Sequence, residues 1–155
     1  MDENVLQDIL RNLMSKQKLA VLSTQRGGQP YSNLMAFAYT EDLRHLIVAT
    51  GSATRKYQNM MGDSRVSIMV DNRSNDEQDF HQATATTILG VAQPVDPQIK
   101  QHYQALYLKR HPYLDHFIAS PTTQLFVITV HNYLIVSRFQ DVVEYRINDE
   151  ADLLS

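Results

Sequence analysis

Leu19-Ala20-Val21-Leu22-Ser23-Thr24-Gln25-Arg26-Gly27-Gly28-Gln29-Pro30-Tyr31-Ser32-Asn33-Leu34-Met35-Ala36-Phe37-Ala38-Tyr39 is the stretch from which the fold is read. Two β-forming runs, Lys18 to Thr24 and Tyr31 to Tyr39, flank Arg26-Gly27-Gly28-Gln29. Paired glycines supply the positive φ of a tight hairpin, and so short a connection joins antiparallel neighbours. The polar turn Thr40-Glu41-Asp42 leads to a third β-forming run, His45 to Thr50. A doubly wound parallel sheet needs a crossover helix between strands, and the first three leave no room for one. The class predicted is mainly β, with antiparallel strands closing into a small barrel and helices at its margins. In the second run one face carries Tyr31, Asn33, Met35, Phe37 and Tyr39, the other Ser32, Leu34, Ala36 and Ala38. Apolar residues on both faces predict cover on both, one by the core and one by a ligand or a second subunit.

Outward from this hairpin, Val5, Leu6, Ile9, Leu10 and Leu13 recur at helical spacing, which predicts an amphipathic helix over Glu3 to Lys16. Val66, Ile68 and Val70 alternate within a strand ending at Asp71, and Asn72 to Gln82 reads as a polar loop. Ala83 to Val95 is a long β segment in which Gly90 marks a bulge or bend. Asp96-Pro97 reads as a helix start, Ile99, Tyr103, Leu106 and Tyr107 share one helical face, and His111-Pro112 ends the helix. Leu125 to Val136 is strongly β-forming, with a turn expected at His131-Asn132, and Val142 to Ile147 reads as a last strand. We find no internal repeat and no linker. Residues 1–155 are read as a single domain with an N-terminal helix (1–16), a helical insert (97–120) and an acidic tail (148–155) expected to fray.

Composition narrows the function. The 155 residues are 43% hydrophobic and 20% charged, an ordinary globular balance, and the net charge of -3 provides no basic field for nucleic acid. No apolar run is long enough to span a bilayer and the N-terminus is acidic, so no membrane partner is expected and the cytoplasm is the expected location. Without cysteine there are no disulfides, thiolate nucleophiles or cysteine-held metals. His102, His111 and His116 lie close in sequence but lack a ligand spacing, and no metal site is expected.

Chemistry concentrates in Ala49-Thr50-Gly51-Ser52-Ala53-Thr54-Arg55-Lys56-Tyr57, where a strand passes into a helix. The first N–H groups of a helix have no internal partner and sit at the positive end of its dipole, so they attract anions. Arg55 grips two oxygens at once and Lys56 adds a mobile charge, which together read as a phosphate clamp. The plainer alternative is a solvated basic face paired with Asp63 or Glu41. Ser52 and Thr54 are candidates both for capping the helix and for touching the phosphate.

The chain resembles the pyridoxamine 5'-phosphate oxidase-related, FMN-binding split-barrel family. The resemblance covers roughly residues 15 to 140 and is carried by Pro30 to Phe37 and Ala49 to Tyr57, supported by Arg65 to Val70 and Leu134 to Phe139. It implies a six-stranded antiparallel Greek-key split barrel, a homodimer with FMN in the groove between subunits. It further implies that Arg55 and Lys56 hold the flavin phosphate, that Ser32, Asn33, Leu34, Met35 and Ala36 line the ribityl chain and ring, and that Ala49 and Thr50 touch the ring edge. The second subunit would contribute from the segment around Thr86 and from the loop at Phe139. No catalytic side chain is singled out, because the flavin carries the redox chemistry.

Members that oxidise the vitamin carry a C-terminal arginine-containing segment and a tryptophan near the flavin. This sequence has no tryptophan, and Tyr145 to Ser155 does not match that segment. The resemblance therefore points to the related branch, whose substrates vary. The expected function is an FMN-binding oxidoreductase acting on a small molecule, with a reduced nicotinamide as a possible donor. Two rivals are a non-catalytic protein binding or carrying flavin, haem or deazaflavin, and a cofactor-free structural dimer. Tyr103, Tyr107 and Tyr113 with Leu106 and Leu114 form an aromatic cluster that serves either packing or a lid over the flavin.

Overall fold

The computed structural model describes residues 2–138 and 140–147. Helix α1 (Glu3–Lys16) is followed by β1 (Leu19–Arg26), β2 (Gln29–Ala36), β3 (Ala38–Tyr39) and β4 (His45–Gly51). Then come α2 (Arg55–Gly62), β5 (Arg65–Asp71), the short α3 (Asp79–Gln82) and β6 (Thr84–Pro94). The chain continues with α4 (Lys100–Arg110), a 3-10 turn (Pro112–Leu114), α5 (Asp115–Ala119), β7 (Thr123–Ser137) and β8 (Asp141–Arg146). No helix among the described residues is long and apolar enough to cross a membrane.

Local chemistry explains the element ends. The Asp2 carboxylate accepts the Asn4 N–H at 2.9 Å and caps α1, whose Leu6, Leu10, Leu13 and Met14 enter the core. The β1–β2 turn passes through Gly27 (φ 57°) and Gly28 (φ 83°), which only glycine adopts without strain, so that Arg26 pairs with Gln29. Asp96 does not open a helix. Its carboxylate accepts the Gln98 N–H and its carbonyl the Ile99 N–H, closing a separate turn, and α4 begins at Lys100.

All strand pairs are antiparallel, in the order β2-β1-β5-β6-β7-β4-β3, with β8 added to β7. β2 and β3 stand at opposite ends of that order yet only Phe37 separates them in the chain, so the sheet curls round into a barrel. Eight strands replace the six expected for two reasons. The second run is divided at Phe37, its first part pairing with β1 and its second with β4, and β8 is an additional strand. The ring of His111 donates from Nε2 to the Phe37 carbonyl at 2.7 Å, at the point where the strand changes partners.

β7 runs unbroken through His131-Asn132, where a turn was expected. Leu89 pairs with Asn132 but Gly90 with Val130, so His131 is the extra residue of a bulge. Gly90 permits it, because a Cβ there would stand 2.4 Å from the Thr129 carbonyl oxygen.

Leu22, Phe37, Leu46, Val48, Ile68, Ile88, Phe126, Ile128, Val130 and Tyr133 belong to the main core. A second cluster lies on the other face of β4, where Ile47 and Ala49 meet Tyr107, Ile118 and Leu125. Each large apolar side chain so buried contributes roughly 1.5–3 kcal/mol. β2 is different: Leu34 is 66% exposed, so the described residues do not cover this face.

Candidate functional site

The change of partner at Phe37 creates a cleft. β3 pairs with β4 only through Ala38–Ile47 and Tyr39–Leu46, so Val48 to Gly51 have no strand on that side. Among the described residues β2 pairs with β1 alone. Every second residue of such an edge turns its N–H and C=O away from its sheet partner. Leu34, Met35 and Ala36 of β2, Ala49, Thr50 and Gly51 of β4, and Thr54 and Lys56 at the start of α2 line a cleft of about 480 Å³. Leu19 of β1 and Tyr107, Leu114 and Phe117 of the insert complete it.

Among these residues Lys56 alone carries a charge. Burial pushes the Tyr107 phenol up to about 12, so it stays neutral in the wall. The cap of α2 is Thr54 rather than Ser52. Thr54 Oγ1 accepts the Tyr57 N–H at 3.3 Å, donates to the Gly51 carbonyl at 2.9 Å, and lies 2.7 Å from the buried Thr50 hydroxyl. This leaves the Arg55 and Lys56 N–H groups at the helix start without an intrahelical acceptor. Ser52 is exposed, and its N–H donates to the Thr122 carbonyl at 2.8 Å.

Arg55 and Lys56 diverge, because consecutive helical residues lie about 100° apart around the axis. Lys56 faces the split cleft, whereas Arg55 stacks over the Tyr31 ring at 5.5 Å in an adjoining cleft with Arg26, Gln29, Pro30 and Asn59. Neither is in a salt bridge among the described residues. Asp63 is held by Arg65 (2.6 Å) and Gln25, while the Glu41 carbonyl accepts from Arg11. No ion pair joins either of them to Asp63 or Glu41 among the described residues.

Of the other candidates, Ser32 faces outward, its hydroxyl 3.0 Å from that of Ser23. Asn33 contacts the Leu34 carbonyl at 3.4 Å and leaves its own Oδ1 buried without a partner. Thr86 shares the inward parity of Ile88 and is fully buried, so its side chain faces its own core rather than a second subunit. Phe139 lies outside the described residues. Leu19, Gly51 and Phe117 were not singled out by sequence. Tyr107 and Leu114 were, as part of the aromatic cluster, whereas Tyr113 of that cluster is 92% exposed.

A family model described as pyridoxamine 5'-phosphate oxidase matches residues 6–137. No curated protein matches the chain. Among solved structures, a heme-binding protein from Mycobacterium smegmatis superposes with a TM-score of 0.79 at 14% identity, over 90% of this chain and 57% of that one. This chain therefore spans less than two thirds of that relative. A FAD-binding protein from Mesorhizobium loti gives 0.65 at 17% identity, over 82% and 89%. A putative pyridoxamine 5'-phosphate oxidase from Listeria innocua gives 0.66 at 17%, over 84% and 98%. At these identities the likeness concerns the fold.

Proposed function

Because the chain belongs to the pyridoxamine 5'-phosphate oxidase family, we propose that the split cleft binds a flavin carrying a terminal phosphate, FMN, and that the protein is an oxidoreductase acting on a small molecule. One observation carries the reading: two strand edges, unpaired among the described residues, face a cleft whose one charged side chain among those residues, Lys56, stands at the start of α2. A flat heterocycle with polar edges needs apolar faces and backbone donors and acceptors in its plane. Leu34, Met35, Ala36 and Ala49 supply the first, and the open edges of β2 and β4 the second. Lys56 and the free N–H groups of α2 suit a phosphate, with Arg55 adding charge from the other side of the helix start.

When bound, a flavin supplies hydride or one-electron transfer. The protein's part is to seat and orient it. Tyr107 stays protonated, Lys56 faces the anion, and Leu114 and Phe117 keep water from one wall of the cleft. A second copy of this chain, seated on the uncovered face around Leu34, would enclose the site further. The FAD-binding relative supports a flavin. The heme-binding relative supports haem less well, because no histidine lines the cleft among the described residues.

The test is the absorption spectrum of freshly purified protein followed by fluorescence titration with FMN. Lys56→Ala is expected to weaken FMN binding by about tenfold or more, the cost of a lost charged hydrogen bond, and more than Arg55→Ala does. A colourless protein with no fluorescence change on titration overturns the reading. Catalytic consumption of reduced nicotinamide by the FMN-loaded protein separates an enzyme from a carrier.

A further inference from the structure

On the Arg55 side of the α2 start, the tip of the β1–β2 hairpin and α2 enclose a separate groove. Its narrower part, about 430 Å³, is lined by Arg26, Arg55, Tyr31 and Asn59. Its wider part, about 790 Å³, shares Arg26 and Asn59 and runs between the Gly27-Gly28 turn and Gln58. Three features mark it as built for a ligand. Arg26 and Arg55 line one cleft with no carboxylate partner for either among the described residues, and the Tyr31 ring holds Arg55 by its face, leaving the guanidinium edge for an anion. Asn59, 2% exposed, borders both parts and donates its amide to the Thr24 hydroxyl at 3.0 Å, which ties this wall of the groove to β1. Asp63 lines the wider part, and its carboxylate is already compensated by Arg65 and Gln25.

We propose that this groove is a second binding site, for a nucleoside phosphate: phosphate against Arg26 and Arg55, nucleoside in the wider part above Asn59. The volume falls in the range of small-ligand pockets. Two sources carry this chemistry. One is the nucleotide half of a flavin dinucleotide whose ring lies in the split cleft, which rests on the flavin reading. The other is a separate nucleotide, which does not.

Calorimetric titration of the whole protein with ADP, FMN, FAD and inorganic phosphate, repeated on Arg26→Ala, tests the site. Arg26 is exposed, so its replacement leaves the fold intact. FAD binding about tenfold tighter than FMN, with that gain lost in Arg26→Ala and FMN binding unchanged, assigns the groove to the dinucleotide. ADP binding the FMN-loaded protein, weakened about tenfold by Arg26→Ala, with FAD no tighter than FMN, assigns it to a separate nucleotide. ADP binding with the same dependence while no flavin binds overturns the flavin reading and supports the groove. Inorganic phosphate binding as tightly as ADP, or nucleotide binding indifferent to Arg26→Ala, or neither ADP binding nor a FAD preference, overturns the proposal.

Discussion

At the scale of single residues, His111 and Tyr133 each close a gap in the backbone ladder. His111 donates to the Phe37 carbonyl, and Tyr133 to the carbonyl of Leu43, a buried residue at φ 63° in the Thr40–Arg44 turn. Burial holds the His111 imidazole below its ordinary value, and nearby Arg110 and Lys18 push the same way against the Phe37 bond. The folded state therefore favours the neutral ring, and its stabilising effect is complete above the unfolded value of about 6.5. It is lost as pH falls from there through the folded value. Tm is expected to drop as pH falls below about 6.5 in the native chain and less in His111→Gln, whose amide still donates without titrating. Asp42 and Asp63 lie below the usual carboxylate range, so their losses come at more acid pH. Tyr133→Phe leaves the Leu43 carbonyl buried and unpaired, and urea unfolding is expected to show a loss of about 1–3 kcal/mol.

At the scale of elements, Gly90 is the most constrained position. Gly90→Ala brings a Cβ against the Thr129 carbonyl, so the β6–β7 ladder must shift, at a cost of about 1–3 kcal/mol in denaturant unfolding. Its place in a bulge was legible because a glycine inside a β-forming run has few other uses. The hairpin at Gly27-Gly28 and α1 were legible for the same reason: turn chemistry and helical period are local. The division at Phe37 was not, since no glycine or proline marks it and a change of partner is a property of the closed sheet. His131-Asn132 looked like a turn because polar residues interrupt an apolar run, yet both are buried in a continuous strand. At the site, Lys56, Thr54 and the β2 and β4 positions were readable from the motif. That Arg55 and Lys56 diverge follows from the helical period, but which of them enters the split cleft depends on how α2 is rotated against β2, which periodicity does not state. Leu114 and Phe117 reach the cleft only through the packing of the insert.

At the scale of the whole molecule, the uncovered face matters most. Leu34 pairs with Val21, and Val21 with Met69, so they form one outward row across three strands, and Leu34 and Met69 are exposed. Sedimentation is expected to show a dimer of this chain, and Leu34→Glu to shift it toward monomer, because a charge placed in such a contact must be desolvated. A native chain that sediments as a monomer at micromolar concentration would remove this argument.

The long strand β7 joins the two sides of the barrel, with β6 on one flank and both β4 and β8 on the other. During synthesis on the ribosome, residues 45–51 must wait for residues 123–129 before their ladder can form. Until then the nascent chain carries β-forming runs with open margins that are prone to pair with other chains. Closure is thus a late event involving distant contacts, the kind that folds slowly and relies on protection from aggregation. Arrest of translation before Thr123 leaves a chain that has β1, β2, β5 and β6 but no strand to join β6 to β4.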